Sequence, residues 1–178
     1  FAGSPESAAN HAVIADAFSV PGVQRLREVR GIAEGSAIPV FIDRRTTMHA
    51  LWGRVPRDAE ILARAFWPGP LTLIGKPQLS LAWTAGVADA VALRMPLHPW
   101  MLQLVAEVGP LAGTGAQRPD EPAPTALDAC DAQGVSIGLD GGELPGGSVS
   151  TVGDLRRGVE VLREGAIPAA DITAALER

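Results

Sequence analysis

The sequence has little of what would place the protein outside the cell or in a membrane. Its 178 residues include one cysteine, Cys130, which has no second cysteine for an internal disulfide. No apolar run approaches the roughly 18 residues of a membrane-spanning helix, and no charged segment followed by an apolar one opens the chain. These absences predict a protein of the cytoplasm, without a membrane anchor.

A large excess of one charge sign is also missing. The formal net charge is −5 and is spread over segments of mixed sign, so no overall field would draw the chain onto nucleic acid or acidic lipid. The three histidines lack the spacing to cysteine or carboxylates that is typical of a metal centre, so no protein-bound metal is expected. Any contact with RNA must therefore be local.

The remaining composition is that of a folded protein. Hydrophobic residues make up 47% of the chain and charged residues 20%, which is typical of globular proteins. The length suits one domain over residues 1–178. Because the chain begins at Phe1 rather than at methionine, a first strand upstream of that residue is a further expectation.

Proline and glycine mark the ends of segments with helical periodicity. Ser19 before Pro21 is typical of a helix N-terminus, and apolar residues then recur at helical spacing up to Gly31. Four further helices are predicted, from Pro56 to Trp67–Pro70, from Pro99 to Gly109, after a Thr125 cap, and over residues 171–177. We therefore expect helices to alternate with other elements along the chain.

Compact apolar runs lie between these helices. Their β-branched residues and turn-forming boundaries are typical of buried strands. The predicted strands are Ala37–Ile42, Leu71–Ile74, Ala90–Arg94, Val135–Leu139 and Val159–Leu162. Strands and helices interleaved in this way indicate an α/β layer fold with a mixed, twisted sheet.

Three features could bind an anion. The glycine-rich segment Asp140–Thr151 ends in the hydroxyls of Ser150 and Thr151, which suit an anion cradle, although ordinary loops share this composition. Arg94 ends an apolar strand, where α/β folds place ligand crevices. Its guanidinium suits a carboxylate or phosphate, or a structural ion pair. Arg30 would bind phosphate if the fold brings it to the glycine-rich segment.

Three blocks of the sequence have the order and spacing of one known family. They are Ala65–Leu73, Ala92–Pro99 and Asp140–Ile167. Through these blocks the chain resembles the YrdC-like threonylcarbamoyl-AMP synthases from Asp16 to Ile167. The resemblance implies an open, twisted mixed sheet with helices packed around it and a central cavity.

The resemblance also implies a nucleotidyltransferase reaction. ATP, L-threonine and bicarbonate would give threonylcarbamoyl-AMP and pyrophosphate, with Mg²⁺ accompanying ATP, for the modification of adenosine 37 in tRNA. Cationic side chains would stabilise the charge that develops at phosphorus. An RNA partner, either tRNA or double-stranded RNA, and partner proteins of the tRNA-modification pathway follow from the same resemblance.

The resemblance assigns roles to individual positions. Arg94 would hold the substrate carboxylate or the phosphates, and Arg30 would replace a catalytic lysine with a different donor geometry. Ser36 would contact the substrate. The expected nucleotide contacts are Thr114, Gln117, Ser150, Thr151 and Arg163.

Other positions depart from the family pattern. Ile32 stands where the family has a second cation, Gly115 removes a hydroxyl, and Gln117 lengthens an amide side chain by one methylene. Each lost contact to a charged group would cost about 1.5 to 3 kcal/mol of binding free energy. Two functions therefore stay open: a threonylcarbamoyl-AMP synthase, or a degenerate paralogue that binds a nucleotide, RNA or a protein partner without this chemistry.

Overall fold

The computed structural model describes residues 8–9, 11–81, 85–87, 89–117, 122, 124–130, 133–140, 142–144 and 146–178. The strands in these residues are β1 (Ala8–Ala9), β2 (Ala12–Asp16), β3 (Val40–Phe41), β4 (Leu71–Gly75), β5 (Val91–Arg94), β6 (Leu111–Gly115), β7 (Gly146–Gly147), β8 (Thr151–Asp154) and β9 (Glu160–Arg163). The helices are α1 (Val20–Arg30), α2 (Thr47–Leu51), α3 (Arg57–Phe66), α4 (Pro99–Val108) and α5 (Ala169–Leu176).

A mixed sheet organises these elements. Within the described residues, seven strands follow the order β2-β6-β3-β5-β4-β8-β9, and β1 pairs separately with β7. The pairs β3–β5 and β4–β8 are parallel, whereas the other neighbours in the large sheet are antiparallel. The predicted α/β fold with a mixed sheet is confirmed.

Helix α1 begins and ends where its sequence signals predict. The Ser19 hydroxyl accepts a hydrogen bond of 3.2 Å from the backbone N–H of Gly22, which satisfies one of the unpaired donors at the helix start. Gly31 ends the helix in the left-handed region at φ 59°, a conformation that glycine adopts without steric cost. Val23 and Leu26 are buried beneath the helix.

One face of the sheet carries the hydrophobic core. Alternation along β4 and β5 places Leu71, Leu73, Val91 and Leu93 in this core, all of them fully buried. Trp52 packs among them, and its indole N–H donates to the Val91 carbonyl oxygen at 3.2 Å. Large apolar side chains therefore fill this face, and the buried indole N–H has a hydrogen-bond acceptor.

Several predictions of local structure were wrong. The run Val135–Leu139 forms no strand, and its residues Ile137 and Leu139 are largely exposed. The segment after Thr125 forms a short 3₁₀ turn over Leu127–Ala129, and no side chain caps it. Strand β2, strand β6 and helix α2 were missed, because Ala- and Gly-rich strands and a one-turn helix give weak periodic signals.

Gly75 tests the packing of the tryptophan in the core. A Cβ atom at this position would lie 2.6 Å from Cε3 of the Trp52 ring, which is nearer than real Cβ contacts occur. We expect Gly75→Ala to lower the free energy of unfolding by about 2 kcal/mol through overpacking. Chemical denaturation followed by tryptophan fluorescence measures this change.

Gly153 supplies the matched control on a neighbouring strand. A Cβ atom there would lie 3.6 Å from Cδ2 of Leu73, an ordinary contact. Gly153→Ala should cost less than about 1 kcal/mol. Equal losses in the two variants would contradict this account of the core.

Candidate functional site

A large cavity lies on the face of the sheet opposite the core. Its volume is about 1200 Å³. The same strand alternation that buries Leu71 and Leu73 turns Thr72 and Ile74 toward this cavity, while Ala92 and Arg94 line it from β5. Residues of α4 and of the segment 135–139 also line it. The apolar run that was predicted to be a strand is therefore part of the cavity wall.

One arginine and two hydroxyls form a hydrogen-bonded group in the cavity. Arg163 donates to the Ser150 carbonyl oxygen from Nε at 3.1 Å and from Nη2 at 2.8 Å, and from Nη2 to the Ser150 hydroxyl at 3.2 Å. The Ser150 hydroxyl lies 3.0 Å from that of Thr72 in a buried hydrogen bond. This network fixes the Arg163 guanidinium and the Ser150 hydroxyl relative to strand β4.

Arg94 completes the group from strand β5. Its Nε donates to the Gly69 carbonyl oxygen at 3.2 Å. The Arg94 side chain and those of Ser150 and Arg163 all line the same cavity. The geometry therefore brings these three predicted site residues together on one accessible hollow.

The cavity has an excess of positive charge at this group. Burial, together with the nearby Arg163 charge, lowers the pKa of Arg94 to about 10, and burial also lowers the pKa of Arg163. Within the described residues, neither guanidinium forms an ion pair with a carboxylate. An anion bound between them would offset this repulsion, so the group suits a phosphate or a carboxylate.

The remaining predicted site residues divide into two groups. Thr114 and Gln117 line the cavity from the end of β6 and just beyond it. Arg30 lies on α1 and Ser36 is exposed in the following loop, and neither lines the cavity. Their predicted roles stay predictions.

Thr151 also lies away from the cavity. Its buried hydroxyl donates to the Ile167 carbonyl oxygen at 2.6 Å and accepts from the backbone N–H groups of Gly165 and Ile167, each at 3.0 Å. These bonds use the hydroxyl fully and attach the segment after β9 to the sheet. The geometry gives Thr151 a structural part beside the site and no contact with the cavity.

The sequence argument missed Thr72 and the Gly69 carbonyl. Thr72 is a single hydroxyl in an otherwise apolar strand and is 1% exposed. A buried hydroxyl needs a partner, so this position could have been flagged from the strand alternation alone. Nothing in the sequence marks the Gly69 carbonyl, because its orientation follows from the tertiary structure.

Only part of the glycine-rich segment can be compared with the predicted anion cradle. Gly141 and Pro145 lie outside the described residues. Glu143, Leu144 and Ser150 line the cavity, and the backbone N–H of Leu144 donates to the Thr125 carbonyl oxygen at 2.7 Å. The backbone cradle therefore stays a prediction.

The chain also matches a known protein family. The family model for Sua5/YciO/YrdC proteins, which carries the description telomere recombination, matches residues 8–165. The chain belongs to the Sua5/YciO/YrdC family. The three sequence blocks that suggested the YrdC-like resemblance supply Gly69 and Thr72, Arg94, and the Ser150–Arg163 pair to one cavity.

Relatives in the Sua5/YciO/YrdC family are similar to this chain over most of its length. A Mycobacterium leprae protein, provisionally named threonylcarbamoyl-AMP synthase, is 36% identical over 169 residues, covering 91% of this chain and 76% of the relative. The threonylcarbamoyl-AMP synthase of Pyrococcus abyssi is 35% identical over 164 residues, covering 89% of this chain and 48% of the relative. The chain thus spans about half the length of the archaeal relative.

The solved structures agree with the family assignment. Pyrococcus abyssi Sua5 complexed with L-threonine superimposes with a TM-score of 0.84 at 30% identity, covering 95% of this chain and 52% of that one. The sheet and cavity described above are therefore the Sua5/YciO/YrdC fold, as expected from the sequence. No helix in the described part of the chain is long and apolar enough to cross a bilayer.

Arg94 tests whether the cavity is built for an anion. This cation is partly buried and has no carboxylate partner among the described residues, so Arg94→Met should raise the stability of the ligand-free protein by about 1 kcal/mol. The same variant should lose most of the increase in melting temperature that pyrophosphate gives to the wild type. Thermal denaturation with and without pyrophosphate measures both effects.

Arg156 provides the contrasting variant. Its guanidinium bonds to Asp154 at 2.7 Å and to Asp89 at 2.9 Å, and Arg156 is not among the residues that line the cavity. Arg156→Met should therefore destabilise the protein and keep the pyrophosphate effect. If Arg94→Met keeps that effect as well, the anion site is somewhere else.

Proposed function

We propose that this chain forms threonylcarbamoyl-AMP from ATP, L-threonine and bicarbonate and releases pyrophosphate. The observation that carries the proposal is the pair Arg94 and Arg163, which shares one cavity with the Ser150 hydroxyl and has no acidic partner among the described residues. The names of the mycobacterial and archaeal relatives support the same reaction.

The size of the cavity supports a reaction with two substrates. Pockets for one drug-sized ligand measure about 300 to 1000 Å³. The volume of about 1200 Å³ leaves room for a nucleotide and an amino acid together. The cavity wall is polar at the sheet, near Arg94, Thr72 and Ser150, and mostly apolar along the 135–139 segment. The charged groups of both substrates would therefore lie toward the sheet.

In the proposed reaction, the threonine amine and bicarbonate give a carbamate with loss of water. A carbamate oxygen then forms a bond to the α-phosphorus of ATP, and the bond from that phosphorus to the pyrophosphate oxygen breaks. Arg94 and Arg163 would stabilise the negative charge on the phosphates and on the threonine carboxylate. Thr72 would hold the Ser150 hydroxyl in place, because the two oxygens are 3.0 Å apart.

Mg²⁺ would accompany ATP in the proposed reaction. Within the part of the chain that the structure describes, no group of three or more His, Cys, Asp or Glu side chains could hold a metal ion. Mg²⁺ normally binds through few carboxylates and the phosphates of its nucleotide. Mg²⁺ would therefore be held chiefly by the phosphates of ATP.

A second candidate function is binding of a nucleotide without this chemistry. It is favoured by the positions of Arg30 and Ser36 outside the cavity lining and by Ile32, which packs against the core where the family has a cation. RNA, whether tRNA or double-stranded, and partner proteins stay predictions under both candidates. An assay with purified protein and small molecules separates the two candidates without these partners.

The experiment measures pyrophosphate release from ATP by the purified chain. We expect pyrophosphate release that requires both L-threonine and bicarbonate. Arg94→Met should lower the rate of release at least about a hundredfold, because Arg94 and Arg163 stabilise the same developing charge. Arg156→Met serves as a folded control with activity close to the wild type. Release that continues without threonine would overturn the proposal.

Binding without turnover would instead favour the second candidate. In that case ATP would raise the melting temperature of the wild type, and no pyrophosphate would appear. A folded protein that neither binds ATP nor releases pyrophosphate would exclude both candidates.

A further inference from the structure

Trp100 lines the cavity and is largely exposed to solvent. Its exposed fraction is 61%, whereas Trp52 and Trp67 are 1% and 3% exposed and each donates its indole N–H to a backbone carbonyl oxygen. An indole ring has a large apolar surface, so leaving it in water is unfavourable. An exposed indole in the wall of a cavity therefore indicates a surface that a ligand covers.

A neighbouring ring and the start of α4 hold this indole in place. The ring centroids of His98 and Trp100 are 6.1 Å apart, and the ring planes make an angle of 82°, an edge-to-face contact. Trp100 is the second residue of α4, and the backbone N–H of Leu102 donates to the His98 carbonyl oxygen at 3.1 Å. His98 can cover at most one of the two faces of the indole, so the other face stays open.

The cavity wall runs from the anion-binding group to this ring. Arg94 ends β5, and residues 96–100 all line the cavity. Six residues of extended chain span at most about 20 Å, so one elongated ligand can reach both Arg94 and Trp100. Ile137 and Leu139 line the same cavity and are also largely exposed.

A ligand that fits this wall has an anionic end and a flat apolar end. A nucleotide has both, because its phosphates are anionic and every base has a π-face that can stack on an aromatic side chain. A phosphate or carboxylate alone would leave the indole exposed. The charge at Arg94 and the open ring at Trp100 are therefore matched by one class of molecule.

We propose that the exposed face of Trp100 stacks on the base of the nucleotide whose phosphates bind between Arg94 and Arg163. The inference rests on the proposed function for the choice of ATP as that nucleotide. The stacking contact itself does not require the chemical step, and it would also serve a protein that binds ATP without turnover.

Affinities for ligands with and without a base test this contact. Calorimetry with ATP and with pyrophosphate compares the wild type, Trp100→Leu and Trp100→Phe. We expect Trp100→Leu to weaken ATP binding about tenfold, the effect of one stacked base, and to change pyrophosphate binding less than about twofold. Trp100→Phe should recover part of the loss in ATP affinity, because phenylalanine keeps an aromatic face.

Val108 on the same helix provides the matched control. It is 58% exposed and is not among the residues that line the cavity, so Val108→Ala should bind both ligands as the wild type does. All three variants change exposed side chains, and their melting temperatures without ligand should stay close to that of the wild type.

Tryptophan fluorescence gives a second readout that a purely structural role would not produce. Trp52 and Trp67 are buried in the core, and Trp83 lies outside the described residues. ATP should quench the emission of the wild type and leave that of Trp100→Leu unchanged. Pyrophosphate should quench neither protein, because it has no base to stack.

The outcomes separate this inference from the proposed function. Equal losses of ATP and pyrophosphate affinity in Trp100→Leu, or unchanged ATP affinity, would overturn the stacking contact. If the wild type binds pyrophosphate and not ATP, the stacking contact fails and the anion site stands. If ATP binds and quenches Trp100, but no pyrophosphate is released with threonine and bicarbonate, the proposed function fails and the stacking contact stands.

Discussion

Two guanidinium groups that share a cavity, neither with an ion-pair partner among the described residues, are the constraint on which the rest of the site depends. Like charges in a poorly solvated space raise the free energy of the folded protein, as the lowered pKa of Arg94 indicates. The fold must therefore hold both side chains by other means. The Gly69 carbonyl oxygen accepts a hydrogen bond from Arg94, and the Ser150 carbonyl oxygen accepts one from Arg163. Other N–H groups of each guanidinium stay available to a ligand.

The sheet supplies the rigidity that this arrangement requires. Register pairs Thr72 with Val152 and Val152 with Arg163, so Thr72 and Arg163 lie in one row across three neighbouring strands, and Ser150 comes just before the middle strand. Thr151 faces the other way and attaches residues 165 and 167 to the sheet. Opposite faces of the same short strand thus border the cavity and hold the segment after β9.

The sequence allowed the fold class, most long helices and the central polar residues to be predicted. Arg94 could be predicted because a cation that ends an apolar strand is unusual. Ser150 could be predicted because its hydroxyl ends a glycine-rich segment, and Arg163 because of the family resemblance. Arg30, Ser36 and Thr151 were also named as candidate site residues, yet they are not among the residues that line the cavity. A sequence pattern does not determine which way a side chain points. The Val135–Leu139 run shows a second limit of the sequence argument. Its hydrophobicity predicted a buried strand, but a short apolar run can also line a cavity, and the pattern of residues does not distinguish the two.

The order of strands along the chain has a consequence for synthesis. Strands β8 and β9 are near the end of the sequence, yet β8 lies directly beside β4. Ser150, just before β8, and Arg163, on β9, provide half of the polar group. A growing polypeptide can form β4 and β5 long before Ser150 and Arg163 leave the ribosome, and during that time the Arg94 side chain has no assembled pocket around it. A ligand of this cavity would therefore stabilise only the finished sheet, in which the last two strands are in place.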